Sequence, residues 1–407
     1  MTAKTAPLPP LNVAPLSNSK RTPAAKMSRL RPFVFYLFVL LQSLRLVSGW
    51  DHVPEDAFRD TVAQEDTVLV AFVAPDEPKS AALETQWLAA AAESKDRLIS
   101  INCGDPDSSC DREGVESLPM IVLFNNGNAV AQYRGPARAA AILGFVARRK
   151  RPIVSTVSAE DLVMFKTADE TVLVAYLDPD DHAPREAFAD VAMQYRDEFT
   201  FGIVTDPIAL LTQKIVAPAV VCYKVIDGDT SKFAPFDDLS RLDEWVKEAT
   251  RPVISELTVL NQQRLLDRGW PMVYLFAQTE SDRQQLRKTL YKFARNYYDS
   301  LTSVTVDPLE FPDLMPSLGL DPDTLPAGAV HQTSKDRIYH YPKDKPLNPS
   351  TLQQWGLDVY QGRIKPWTPP GVTTSYDDLG PTRAANAKVS VPTIPGVTIR
   401  IAGHDEL

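Results

Sequence analysis

Residues 67–91, TVLVAFVAPDEPKSAALETQWLAAA, carry the pattern that decides the fold. Thr67 to Val73 is a continuous apolar run of the kind found in strands that are buried on both faces. After Ala74-Pro75 the apolar residues take helical spacing on one face, at Leu83, Trp87, Ala90 and Ala91. The stretch therefore predicts a strand, a tight turn and a helix.

The same βα unit recurs along the chain at intervals of roughly 100 residues, a spacing that indicates duplicated domains rather than a solenoid. Its buried strand is repeated at Thr171 to Leu177 and at Met272 to Phe276. In each copy a proline stands just before a later apolar strand, in Leu118-Pro119, Ala217-Pro218 and Leu325-Pro326. The predicted units are 50–151, 152–250 and 251–366.

The segment 67–91 resembles the active-site segment of protein disulfide isomerases almost position for position. Trp50 to Pro366 is similar to the first three domains of the fungal members, including Phe165 to Asp169 and Gly362 to Pro366. The resemblance implies an α/β fold of three tandem thioredoxin-like domains, each a central mixed β-sheet flanked by helices. It also implies a cis peptide bond at Pro119.

Where that family has its Cys-Gly-His-Cys motif, this chain has Glu77-Pro78-Lys79-Ser80. The family's first cysteine depends on a helix N-terminus to lower its thiol pKa, and neither Glu77 nor Ser80 can form a disulfide. Its buried proton-transfer glutamate falls on Ala71, and its later arginine falls on Ala137, next to Arg138. The resemblance thus implies no catalytic residue. The motif then reads as an ordinary helix start with Asp76 as N-cap.

The chain has three cysteines, Cys103, Cys110 and Cys222. Cys103 and Cys110 lie seven apart, where some fungal relatives also have a pair, so we expect a structural disulfide; a residual redox couple is the alternative. Cys222 lies in an apolar strand and is expected to be an inert thiol. Histidines are scattered, and no metal or cofactor motif is present, so none is expected.

In the family, the third domain binds unfolded chains in an apolar groove. By position, the resemblance implies a groove made by Val253, Ile254, Leu257, Leu265, Leu266, Met272 and Leu275. The alternative is that these side chains belong to the core.

The two ends of the chain predict its location. Residues 1–26 are an extension without periodicity, and Met27 to Gly49 has the basic and apolar regions of a secretory signal, a signal anchor being the rival. His404-Asp405-Glu406-Leu407 is an endoplasmic reticulum retrieval signal, carried on a predicted flexible tail from 367 to 407. Its reader would be the HDEL receptor, and no stable membrane insertion is expected after signal cleavage.

Charge excludes one class of partner. Without residues 1–49, which carry seven basic and no acidic residues, Lys+Arg falls from 43 to 36 against 52 Asp+Glu, a net charge of −16. A nucleic-acid partner is not expected for so acidic a chain.

The first functional hypothesis is a redox-inactive chaperone of the endoplasmic reticulum lumen that binds unfolded or partly folded secretory proteins. A weak thiol–disulfide enzyme using Cys103 and Cys110 is the second. A non-catalytic subunit for one folded partner is the third.

Overall fold

The computed structural model describes residues 50, 52–104, 110–234 and 238–369. They form three mixed β-sheets in series, with strand orders β2-β1-β3-β4, β5-β7-β6-β8-β9 and β10-β12-β11-β13-β14. In every sheet, the buried central strand lies between one parallel and one antiparallel neighbour. The predicted α/β fold with tandem thioredoxin-like domains is confirmed.

The first domain packs three helices against four strands. β1 is buried on both faces: Leu69, Ala71 and Val73 face one cluster, while the residues between them face the other. This explains the continuous apolar run. Residues 110–114, which follow Cys103 across the disulfide, form turns. The elements are α1 Glu55–Gln64, β1 Thr67–Val73, α2 Pro78–Glu93, β2 Arg97–Asn102, β3 Met120–Asn125, β4 Asn128–Tyr133 and α3 Ala139–Lys150.

The second domain repeats this plan with a short added edge strand. Its central strand is again wholly buried, and clusters of apolar side chains cover both faces of the sheet. The elements are β5 Ser155–Thr156, α4 Leu162–Phe165, β6 Thr171–Tyr176, α5 His182–Tyr195, β7 Thr200–Val204, α6 Pro207–Gln213, β8 Ala219–Lys224, β9 Asp229–Phe233 and α7 Arg241–Ala249.

The third domain has the same strand order as the second. Its central strand was predicted with the observed bounds. The elements are β10 Ser255–Glu256, α8 Gln262–Asp267, β11 Met272–Phe276, α9 Glu280–Asn296, β12 Thr302–Val306, α10 Leu314–Ser317, β13 Ala327–Gln332, the 3₁₀ turn Thr333–Lys335, β14 Arg337–His340 and α11 Pro349–Tyr360.

Each domain contains a cis proline, and the third domain continues past its expected end. The peptide bond before Pro119 is cis, as the resemblance implied, and so are those before Pro218 and Pro326. Trp367, which was assigned to the tail, forms a β-bridge with Ile338, and its ring lies tilted against that of His340 with the centroids 5.5 Å apart. Ordered structure therefore continues past the predicted boundary at 366. The expected signal, residues 27–49, and the retrieval signal, 404–407, lie outside the described residues.

Candidate functional site

Glu77 and Ser80, at the positions that the resemblance matches to the family's two cysteines, form a helix cap. Glu77 is the N-cap of α2, and its carboxylate accepts a hydrogen bond of 2.6 Å from the Ser80 amide. The Ser80 side chain is fully buried, and its Oγ accepts a bond of 3.2 Å from the Ala74 amide. The prediction of Asp76 as N-cap is wrong, since Glu77 is the residue whose carboxylate reaches the free helix amide. Both side chains therefore serve backbone groups.

The surroundings of this cap are apolar. Ala71 is fully buried in the cluster that contains Leu83 and Trp87. Phe72 lies opposite Met120 in the sheet, which brings Pro119 to the end of the strand that leads into the cap. Ala71 and Pro119, which the resemblance placed beside Glu77 and Ser80, thus lie in and next to the strand that leads into the cap, and Ala71 contributes only a methyl group.

Cys103 and Cys110 form a disulfide, as expected, with Cα atoms 5.7 Å apart. The Cys103 amide donates a bond of 2.7 Å to the Val73 carbonyl, so the bridge sits beside the end of β1. Cys110 is buried in the cluster around Phe58 and Val122. Closing a loop this short is worth about 2–3 kcal/mol of stability. Packing of this kind favours the structural reading.

Cys222 is fully buried in the core of the second domain, and its Sγ lies 3.4 Å from the Ala249 carbonyl. Burial raises the pKa of its thiol to about 12. We therefore expect thiol titration without reductant to give no fast-reacting thiol in the native protein and one after denaturation. Two or three fast thiols in the native state would contradict the disulfide assignment.

The seven residues predicted to line a groove in the third domain do not form one. Six are at most 5% exposed, and only Leu266 is partly exposed. They also lie on opposite faces of the sheet, because successive side chains of a strand alternate: Met272 joins Leu257 and Leu265 on one face, whereas Leu275 joins Val253 and Ile254 on the other. The expectation that Leu257 and Leu265 face solvent is wrong. A role in binding unfolded chains remains a prediction.

Replacing Leu265 or Leu257 by aspartate is accordingly expected to destabilise the third domain by several kcal/mol, because either change buries an unpaired charge. Thermal melts of Leu257→Asp and Leu265→Asp should show clearly lowered midpoints. The control is Leu357→Asp, at a position 41% exposed on α11, which should change the midpoint little. Unchanged midpoints for both core variants would show that these leucines do not carry the core.

A cleft of about 850 Å³ lies where the three domains meet. Its apolar lining includes Tyr133 and Pro136 of the first domain, Phe199 and Ile226 of the second, and Leu260 of the third. Two residues of the predicted groove, Ile254 and Leu265, also reach its wall. Each domain therefore contributes apolar surface to one shared space.

Arg138 holds the three domains together at this cleft. Its guanidinium donates two bonds to Glu170 of the second domain, at 2.5 and 2.6 Å, and one of 2.9 Å to Glu256 of the third. Burial alone would raise the pKa of Glu170, but the hydrogen bonds and charge of Arg138 hold it below its usual value. In the sequence, Arg138 stands out only as a residue next to the position of a family arginine, since its partners lie 32 and 118 residues away.

Further ion pairs surround Arg138 in the cleft wall. Arg148 bonds to Asp169 at 2.9 Å, and Arg264 bonds to Glu198 with two bonds of 2.7 and 3.0 Å. Each pair joins two different domains, the first to the second or the third to the second. These bonds fix the shape of the cleft. The charges that they join are paired within the protein.

The described residues give no support for a metal site or a membrane-spanning helix. These residues contain no group of three or more His, Cys, Asp or Glu side chains placed to hold a metal ion. In the same residues, no helix has the length and apolar character needed to cross a membrane.

Comparison with known proteins agrees with this architecture. The thioredoxin family model matches residues 50–148, and a thioredoxin-like domain model matches 177–356. The chain is 29% identical over 315 residues to protein disulfide-isomerase of Humicola insolens, covering 77% of this chain and 62% of that protein. For the Aspergillus oryzae protein disulfide-isomerase, identity is 27%, covering 83% and 68%. The chain thus spans roughly two thirds of the length of these relatives.

Among solved structures, human ERp44 matches with a TM-score of 0.36 and 16% identity, covering 78% of this chain and 90% of that one. The three mixed sheets, the matched domain models and the fungal relatives define a protein built from thioredoxin-like domains. The chain belongs to the protein disulfide isomerase family.

Proposed function

We propose that this protein is a redox-inactive chaperone that binds unfolded or partly folded secretory proteins in the endoplasmic reticulum lumen. The observation that carries the proposal is the cap at Glu77 and Ser80. A dithiol enzyme needs an exposed thiolate at the first of these positions, and here a carboxylate bonded to the helix backbone holds it. Without thiols at these positions, the feature of the fold that can serve function is a binding surface.

The cleft is the surface that suits such a client. Ile226 and Leu260, on facing domains, are 44% and 37% exposed and both line it. Contact with apolar side chains is worth roughly 25 cal/mol per Å² and requires no particular client sequence. A partly apolar chain segment would therefore bind here without sequence specificity, whereas the third-domain core offers no comparable surface.

The thiol–disulfide alternative has less support. The pair of cysteines that it would use is the disulfide Cys103–Cys110, and Cys110 is 6% exposed within an apolar cluster. Attack on a disulfide requires access of a thiolate to its sulfur, which this packing restricts at Cys110, whereas Cys103 is partly exposed. Lumenal residence, signal cleavage and recognition by the HDEL receptor are part of the proposal. They rest on the sequence of residues 27–49 and 404–407 and on the family.

The insulin reduction assay tests the proposal. Added to insulin and dithiothreitol, the full chain is expected to delay aggregation of the reduced chains without increasing the rate at which the disulfides are reduced. Ile226→Asp and Leu260→Asp should weaken this delay. The matched control is Val130→Asp, which alters a 48% exposed apolar residue of β4 that does not line the cleft.

Faster reduction of insulin by the full chain would refute redox inactivity, and its loss in Cys103→Ser would assign the activity to Cys103 and Cys110. If the cleft variants and the native chain delay aggregation equally, the client does not bind at the cleft. The chaperone function itself would not be contradicted by that result.

A further inference from the structure

The second domain carries an exposed apolar surface away from the cleft. Helices α4 and α6 cover the same face of the sheet, and their buried residues Leu162, Ala209 and Leu210 belong to one cluster. On the solvent side of these helices and the loop that follows, five apolar side chains are 70–79% exposed: Val163, Met164, Ile208, Leu211 and Val216. We call these five residues the apolar patch. Exposure of so many large apolar groups in one place indicates an interaction site.

The two helices run side by side, which fixes the outline of the patch. Each follows a strand, β5 or β7, and these strands are parallel neighbours, so both helices begin at the same edge of the sheet. Their far ends meet, since Lys166 after α4 donates a bond of 2.5 Å to Gln213 at the end of α6.

Opposite charges flank the apolar patch at these two ends. Glu160 and Asp161 precede α4 and Asp206 precedes α6, which makes one end acidic. Lys166 follows α4 and Lys214 follows α6, which makes the other end basic. Within the described residues neither Glu160 nor Lys214 has an ion-pair partner, and both are exposed. Both charges are thus available to a partner.

We infer that a second copy of this chain docks on the apolar patch, forming a two-fold symmetric dimer. A two-fold axis through the patch, perpendicular to the line between its charged ends, places each acidic end against the basic end of the other copy while the apolar side chains meet at the centre. A surface with apolar residues between opposite charges is complementary to itself in this arrangement. None of the five patch residues lines the cleft, so the dimer does not use the cleft of either copy.

Sedimentation equilibrium of the full chain tests the dimer. We expect a reversible monomer–dimer equilibrium with a dissociation constant in the micromolar range, as for small interfaces. Leu211→Glu, which puts one charge from each copy at the centre, should weaken the dimer more than about a hundredfold. Met193→Glu is the matched control: this 62% exposed residue lies on α5, which packs on the opposite face of the same sheet, and the dimer should be unchanged.

Charge reversal distinguishes a self-complementary dimer from other associations. Lys214→Glu and Glu160→Lys should each weaken the dimer about tenfold by placing like charges opposite each other, and the double variant should restore it. Both residues are exposed, so native circular dichroism and thermal midpoints are expected throughout.

Three results would overturn the inference: a monomer at every concentration, a dimer insensitive to Leu211→Glu, or a double variant no better than the singles. Binding of an unfolded polypeptide to a monomer through Leu211 would likewise replace the second copy by a client. Because the cleft variants Ile226→Asp and Leu260→Asp should dimerise normally, failure here is distinguishable from failure of the chaperone proposal.

Discussion

Arg138→Ala is expected to destabilise the protein by on the order of 3 kcal/mol and to loosen the junction of its three domains. Arg138 is a single side chain that bonds to Glu170 and to Glu256, whose side chains are 40% and 14% exposed. Removing the guanidinium leaves two partly buried carboxylates without the cation that bonds to both. Arg138→Lys should recover part of the loss, because an ammonium keeps the charge but lacks the planar fork that reaches both partners.

Calorimetry of the full chain and limited proteolysis at the domain junctions measure this effect. Arg134→Ala is the control, since Arg134 is an exposed arginine four residues away whose one side-chain partner within the described residues is Gln132. Equal midpoints and equal proteolysis for Arg138→Ala and Arg134→Ala would mean that Arg138 does not join the domains.

The same interaction has a pH dependence with a defined sign. The pKa of Glu170 is depressed in the folded protein, because Arg138 outweighs the opposing effect of burial. A group of this kind contributes stability above its unfolded pKa, about 4.3, and that stability is lost as the pH falls through the folded value. The difference in midpoint between the native chain and Arg138→Ala should therefore be full at pH 7 and shrink below about pH 4. A difference that grows on acidification would contradict the pairing.

The combined substitution Glu77→Cys, Pro78→Gly, Lys79→His and Ser80→Cys is expected to give the chain thiol–disulfide reductase activity above that of the native chain. Position 77 is the N-cap of a 16-residue helix, where the helix dipole lowers the pKa of a thiol. Adding Ala71→Glu should raise the rate at least about tenfold by supplying a proton-transfer group. It should also lower the melting temperature, because Ala71 is fully buried.

The insulin reduction rate measures this gain. Glu77→Gln with Ser80→Ala is the control, since it removes the cap without adding thiols and should leave the chain inactive. A quadruple variant that folds and forms the new disulfide in the oxidised state, yet remains inactive, would contradict our assignment of these positions.

The sequence was sufficient for most of the fold because its central strands are apolar on both faces. The runs beginning at Thr67, Thr171 and Met272 each proved to be the middle of a sheet, and the disulfide followed from the position of Cys103 and Cys110 in the resemblance. The cap was assigned one residue too early, since Asp76 and Glu77 are both acidic and only the backbone path decides which carboxylate reaches the helix.

The candidate site was less predictable, for two physical reasons. Leu257 and Leu265 are apolar residues at family positions, and sequence cannot tell whether such a side chain packs inward or lines a groove; here both are 3% exposed. Arg138 bonds to residues in two other domains, and no local pattern records contacts over such separations. The apolar patch was likewise missed, because short helices such as α4 give no clear periodicity.

Binding of a permanently unfolded polypeptide tests the central claim most directly. Fluorescence anisotropy of labelled, carboxymethylated lactalbumin, which has no free thiols, should rise saturably as the full chain is added. We expect a dissociation constant on the order of 10 µM that is the same with and without dithiothreitol, and no binding of native lactalbumin. Absence of binding to the unfolded form, or binding to the native form alone, would contradict a redox-inactive chaperone.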